Sequence, residues 1–216
     1  MHGKGSNFLN FSLEQIYNQS YSNIQVVISD HSIDNSIYTV CNDWSKKLNI
    51  KYLKNTKNRG SSSANINNAI NNCDGKLIKI LFQDDFLFYK NSILDISTHF
   101  TNNCSWLVSA CTHTQDGKNL YHDFMPKWNH NIHLGVNTLS SPSILTIKNV
   151  VSERFDESLI WLMDCDIYKK LYNKYGLPTF LMSINIVNRL WGNRLSNTIS
   201  KDIKQKEVNT LRERYK

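Results

Sequence analysis

Apolar residues recur along this chain in two rhythms that alternate through its first half. Phe8, Leu9, Phe11, Leu13, Ile16 and Tyr17 fall at helical spacing and predict an amphipathic helix over 7–18. The β-branched run at 24–28 predicts a buried strand, 36–47 a helix, and 50–53 a second strand. A polar, Gly-containing loop at 55–62 follows. Ile66, Ala69, Ile70 and Cys73 then mark one face of a helix, and 77–82 is a third strand. Strict alternation of this kind predicts an α/β domain, with parallel strands covered by helices on both faces.

The second half is less regular. A helix is expected at 90–100, strands at 106–110 and 143–147, and a helix at 160–175 stopped by Gly176 and Pro178. Between the strands lies a polar stretch, 112–142, rich in His and Asn; loops of this length usually carry function or mobility. A doubly wound domain ordinarily begins with a strand, whereas this chain opens on a helix. A truncated start, or an edge filled in some other way, is therefore expected.

Composition narrows the class. With 216 residues, 40% hydrophobic and 20% charged, the chain suits one globular domain and not two. No apolar run reaches the length of a membrane span, and no signal-peptide pattern opens the sequence. The five cysteines form no Cys-x-x-Cys pair, which suits reduced core thiols and a cytoplasmic setting. The formal charge of +7 would fit nucleic acid, an anionic substrate or an anionic membrane face. Residues 201–216 hold six Lys or Arg against three acids, at spacings that suit a solvated helix with room for peripheral membrane contact. No interleaving of basic and aromatic residues supports base stacking, so nucleic acid is not expected as a partner.

Acids at strand ends carry the candidate chemistry. Asp30 follows the first strand, and Asp84 and Asp85 follow the third inside the apolar run Ile80-Leu-Phe-Gln-Asp-Asp-Phe-Leu-Phe88. Ligands of open α/β sheets bind beyond the carboxyl ends of parallel strands, which would place both acidic turns in one crevice. Asp30 could equally cap a turn. Two adjacent carboxylates are costly to desolvate, and they suit either a hard divalent cation or a helix cap. Asp164 and Asp166 open the helix at 160–175, where they could cap it or where one could act as a general base. His113, His122, His130 and His133 could form a zinc site, but no Cys or Glu stands at convincing spacing.

In their order, these pieces resemble the inverting family 2 glycosyltransferases of the GT-A fold. Residues 13–36 resemble that family's opening helix, its N-Q-T/S-Y turn and its D-D-G-S-T-D-N-S segment. Asn58-Arg-Gly60 with Ala64 resembles N-x-G…A-R-N, and Gln83-Asp-Asp85 stands at the D-x-D position. Phe155-Asp-Glu157 and Met163-Asp-Cys-Asp166 resemble F-D-E and E-D-W-D. The chain departs from the pattern at Phe82, the first acidic position of D-x-D, at Asn65 in place of Arg, and at Met163 in place of Glu. The family's first strand and its P-T-Y-N turn do not precede the opening helix.

The resemblance implies a GT-A domain spanning 1–216, with a Rossmann-like, mostly parallel central sheet. Residues 7–100 would form the nucleotide-sugar half, 101–185 a mixed acceptor half, and 186–216 a basic helical tail. It implies transfer of a sugar from a nucleotide-diphosphate sugar to a glycan or lipid-linked acceptor, at the inner face of the membrane or free in the cytoplasm. The alternative is a catalytically inactive GT-A-like domain that binds a nucleotide or glycan. Asp164 would be the catalytic base. Asp30, Ser32, Asn58, Arg59, Asp84 and Arg194 would bind the nucleotide sugar. Asp85, supported by Asp84, would ligate Mn²⁺ or Mg²⁺, and Asp166, Ser141 and Ser143 would lie on the acceptor side.

Overall fold

The computed structural model describes residues 4–101, 103–190, 192 and 198–216. Its first half follows the predicted alternation: α1 (Lys4–Tyr17), β1 (Gln25–Asp30), α2 (Ser36–Trp44), β2 (Asn49–Lys54), α3 (Ser62–Ile70), β3 (Leu77–Lys79). The periodicity is legible because it is used. Leu9 and Leu13 of α1 meet Ile37 and Cys41 of α2 in one apolar cluster, against which Val26, Ile28, Ile50 and Tyr52 pack. Burying a leucine such as Leu13 contributes about 2 kcal/mol. Ser61 caps α3, its hydroxyl accepting from the Ala64 N–H at 3.2 Å.

β1 and β2 run parallel, and their register sets Asp30 opposite Lys54 at the carboxyl ends. The remaining strands are β4 (Phe86–Leu87), β5 (Trp106–Thr114), β6 (Leu120–Phe124), β7 (Leu145–Lys148) and β8 (Thr179–Arg189). They form a second, mixed sheet in the order β3-β7-β5-β8-β4, with β6 paired to β5. α4 (Ser92–His99), α5 (Met163–Tyr175) and α6 (Lys201–Arg214) complete the described helices. The fold is α/β, with helices against mixed sheets.

Its sheet is less parallel than the alternation suggested. Among the described strands only β1–β2 and β5–β8 pair in parallel, and β3 runs antiparallel to β7, with Leu77 opposite Lys148. All nine residues of β5 are buried, so the core centres on this strand, between β7 and β8 and beneath α5. Most of the stretch expected to be irregular, 112–142, is loop and single turns. Its beginning is a β5–β6 hairpin whose turn is tied by Asp116, which accepts from the N–H groups of Lys118 and Asn119.

Candidate active site

The first wall of the site is the end of β1. Asp30 is 4% exposed. Its Oδ1 accepts from the Ser32 N–H at 2.7 Å. Its Oδ2 accepts from the Ser32 hydroxyl at 2.9 Å, the Tyr52 hydroxyl at 2.7 Å and Lys54 Nζ at 3.0 Å. Burial alone would raise this carboxyl, but the donors from Ser32, Tyr52 and Lys54 outweigh it and hold the pKa below its ordinary value. A cavity of about 430 Å³ opens beside it, between β1, the start of α1, the α3 face carrying Asn65 and Ile66, and Leu81–Gln83. Ser32 lines this cavity with Asp30. Asn58 and Arg59 do not. Asn58 sits exposed in a left-handed turn (φ 51°) and donates to Glu157 at 2.9 Å, and Arg59 is exposed on the same turn.

The second wall is the acid pair that follows Gln83. Asp85 is enclosed, with the Arg189 N–H donating to Oδ1 at 2.9 Å and Asn188 Nδ2 to Oδ2 at 2.8 Å. Burial, and then the neighbouring Asp84, push its pKa up to about 7, against the hydrogen bonds from Ser143, Arg189 and Asn188. Asp84 is half-buried, and Arg189 Nε holds its carbonyl at 3.1 Å. Of the two acids Asp84 is the more exposed, half-buried where Asp85 is 5% exposed. The physical reason is that the polar end of β8 captures Asp85. Buried Ser143 accepts from the Phe82 N–H at 2.9 Å and so shapes the turn from below. Ser141 takes a hydrogen bond from Asn188 at 2.9 Å.

The third wall is the first turn of α5. Asp164 Oδ1 accepts from the Cys165 N–H at 2.8 Å, and Oδ2 accepts from Asn137 Nδ2 at 2.7 Å. Desolvation by burial outweighs these donors and raises its pKa to about 6. Asn137 is itself fixed. Its Oδ1 accepts from the N–H groups of Leu139 and Ser140 at 3.0 Å, and Ser140, at φ 85°, donates its hydroxyl to Asn188 Oδ1 at 3.2 Å. One hydrogen-bonded path thus runs Asp164–Asn137–Ser140–Asn188–Asp85 and joins the two acidic walls.

Asp166 lies on the same first turn but points into the core. It is fully buried, ion-paired to Lys170 at 2.7 Å and Arg214 at 2.8 Å, and it accepts from the Tyr215 hydroxyl at 2.7 Å. Arg194 lies outside the described residues. The histidines make ring and main-chain contacts, such as His113 Nδ1 with the His122 carbonyl at 2.8 Å. Among the described residues no group of three His, Cys, Asp or Glu could hold a metal. Asn137, Asn188 and Arg189 were not singled out in the sequence. The available signals were an Asn ahead of the Ser-Ser-Pro turn and the polar pair Asn188-Arg189 after the apolar Ile186-Val187.

The family model for glycosyl transferase family 2 matches residues 2–148, which include Asp30, the Asp84–Asp85 pair and Asn137. This chain belongs to glycosyl transferase family 2. Its fold matches the crystal structure of S. aureus TarS 1–349 in complex with UDP-GlcNAc, with TM-score 0.75 at 16% identity over 96% of this chain and 63% of that one. It also matches the mannosyltransferase PcManGT from Pyrobaculum calidifontis in complex with GDP-Man and Mn²⁺, with TM-score 0.64 at 12% identity over 88% and 55%. Against a second TarS 1–349 structure the family 2 chain spans 58% of that chain's length. No curated protein matches it. None of its described helices is long and apolar enough to cross a membrane.

Proposed function

We propose that this family 2 domain is an inverting glycosyltransferase that moves a sugar from a nucleotide-diphosphate sugar to an acceptor hydroxyl. The observation that carries this reading is Asp164. It is a single carboxylate at a helix start, with a pKa raised to about 6 and tied through Asn137 to the donor-side turn. A base of this strength is ionised at neutral pH yet basic enough to share a hydroxyl proton. Inversion needs one such base and no enzyme nucleophile, because the acceptor oxygen displaces the nucleotide diphosphate in a single step.

The other residues have supporting parts. Asp30 and Ser32 would receive the nucleoside in the cavity beside β1, where the fixed Asp30 carboxylate offers an acceptor for base or ribose donors. Asp84 would be the protein ligand for Mn²⁺ or Mg²⁺. One half-buried carboxylate can serve such an ion where phosphate oxygens and water complete the shell, which is the common habit of Mg²⁺. When bound, the ion would supply charge neutralisation on the departing diphosphate. Asp85, Asn188 and Arg189 would hold the Asp84 turn rigid. UDP-GlcNAc, which accompanies TarS, and GDP-Man, which accompanies the mannosyltransferase, define the donor class to try first. A glycan or lipid-linked hydroxyl is the acceptor class.

The test is consumption of a panel of nucleotide sugars with and without Mn²⁺ by the wild type and Asp84→Ala. The reading expects metal-dependent release of nucleotide diphosphate by the wild type, and loss of the metal response in the variant. Binding without release across the panel would favour an inactive, nucleotide-binding domain instead.

A further inference from the structure

The helix that bears Asp164 has no side-chain cap of its own: its N-cap residue, Leu162, makes no such bond. Glu207 of α6, which is 5% exposed, instead holds the segment that enters the helix, from elsewhere in the chain. Its Oε1 accepts from the Ile160 N–H at 2.7 Å, and its Oε2 from the N–H groups of Trp161 at 3.0 Å and Leu162 at 2.8 Å. Three successive N–H groups that lead into the helix, the last that of its N-cap residue Leu162, are thereby satisfied by one buried carboxylate, with its negative charge near the positive end of the helix.

The same helix grips the other side of Asp164. Arg214 bridges Asp166 at 2.8 Å and Asp156 at 2.6 Å, and Tyr215 donates to Asp166. Leu211, between these two latches, is fully buried. The Tyr215 ring also meets His133, with centroids 5.4 Å apart, in the single turn at Ile132–Leu134 that leads to Asn137. α6 therefore touches both structures that define the base: the start of its helix and the approach to the loop that orients its carboxylate.

We infer that α6 is a positioning arm for the base, with Glu207 as the positioning residue that holds residues 160–162 and so sets where Asp164 stands. This rests on the glycosyltransferase reading above. It also gives the basic C-terminal segment a task distinct from a solvated tail or a surface anchor. Its apolar and acidic inner face is committed to the active-site helix. The outer face, with Lys201, Lys206 and Arg212 interspersed with Asp202 and Glu213, is left to solvent.

The experiment compares wild type, Glu207→Gln, Glu207→Ala and Asp164→Asn in sugar transfer and in amide hydrogen exchange. Glu207→Gln keeps the shape but loses the charge and one acceptor oxygen, so it covers the case in which the alanine variant folds poorly. The expected result is a kcat loss of about 10- to 100-fold with donor KM within about twofold, as for a displaced catalytic group. Exchange should rise at residues 160–165 while β5 stays protected. An unchanged kcat with unchanged exchange at 160–165, or equal losses in kcat and donor affinity with exchange rising throughout the core, would overturn the inference. Full transfer by Asp164→Asn would instead remove the assignment of the base. The exchange data at 160–165 would still report whether Glu207 holds that segment.

Discussion

Asn137 donates to Asp164 across 27 residues of chain, Nδ2 to Oδ2 at 2.7 Å, while its own carbonyl oxygen is held by the N–H groups of Leu139 and Ser140. The amide cannot rotate away without breaking two further bonds, so it fixes one rotamer of the carboxylate. The other Asp164 oxygen is held by the Cys165 N–H. Both oxygens keep lone pairs for an incoming hydroxyl. Replacing Asn137 with Ala is expected to lower kcat by about 10- to 100-fold with a smaller effect on donor KM, read from steady-state transfer.

Acid should silence the enzyme through the same carboxylate. Asp164 has its pKa raised to about 6 by burial, and only its ionised form can accept the hydroxyl proton. The rate should therefore rise as pH increases through about 6 and level off above it. The Asn137 bond favours the ionised form, so the Asn137→Ala profile should have its acid limb displaced to higher pH. A pH series of kcat/KM on both proteins measures this.

Stability should respond in the opposite sense to activity. A carboxyl raised from 3.8 to about 6 binds more protons in the folded than in the unfolded chain, so its ionisation opposes folding. The penalty is absent below the unfolded value, grows as pH rises between the two, and is complete above about 6. Asp164→Asn should thus lose transfer and yet gain on the order of 1–3 kcal/mol of stability at pH 8, with no gain near pH 3.5. Denaturant titrations at the two pH values would show it.

The two adjacent acids should separate cleanly. Asp84→Ala removes the half-buried carboxylate assigned to the ion and should abolish the response to Mn²⁺, with a smaller change in melting temperature than Asp85→Ala. Asp85→Ala strands the buried donors of Asn188 and Arg189 and should cost about 2–4 kcal/mol. Thermal melts run beside metal titrations distinguish the roles, and the reverse pattern would reassign them.

Much of this site could be read before the structure, and the reasons differ by residue. Asp30 was legible because a β-branched run must be a strand, and an acid at its end must meet whatever binds there. Asp164 was legible through the order of the motifs around it. Which member of the Asp84–Asp85 pair faces outward was not legible, because Asn188 and Arg189, about a hundred positions later, decide it. β8 escaped notice since Ser183, Asn185 and Asn188 interrupt its apolar rhythm, and Asn137 lies where no periodicity operates. The antiparallel pairing of β3 likewise depends on β7, a partner that local pattern cannot name. The resemblance implied an acceptor-side place for Asp166, and its burial was not legible. Its burial follows from Arg214 and Tyr215, at the far end of the chain.

The most direct measurement is donor turnover by wild type and Asp164→Asn, with donor binding followed by calorimetry on the same samples. The account predicts that the wild type releases nucleotide diphosphate from at least one nucleotide sugar when an acceptor is present. The variant should bind that donor with unchanged affinity and turn it over at about 1% of the rate or less. Equal turnover by the two proteins, or a wild type that binds no nucleotide sugar at all, would contradict it.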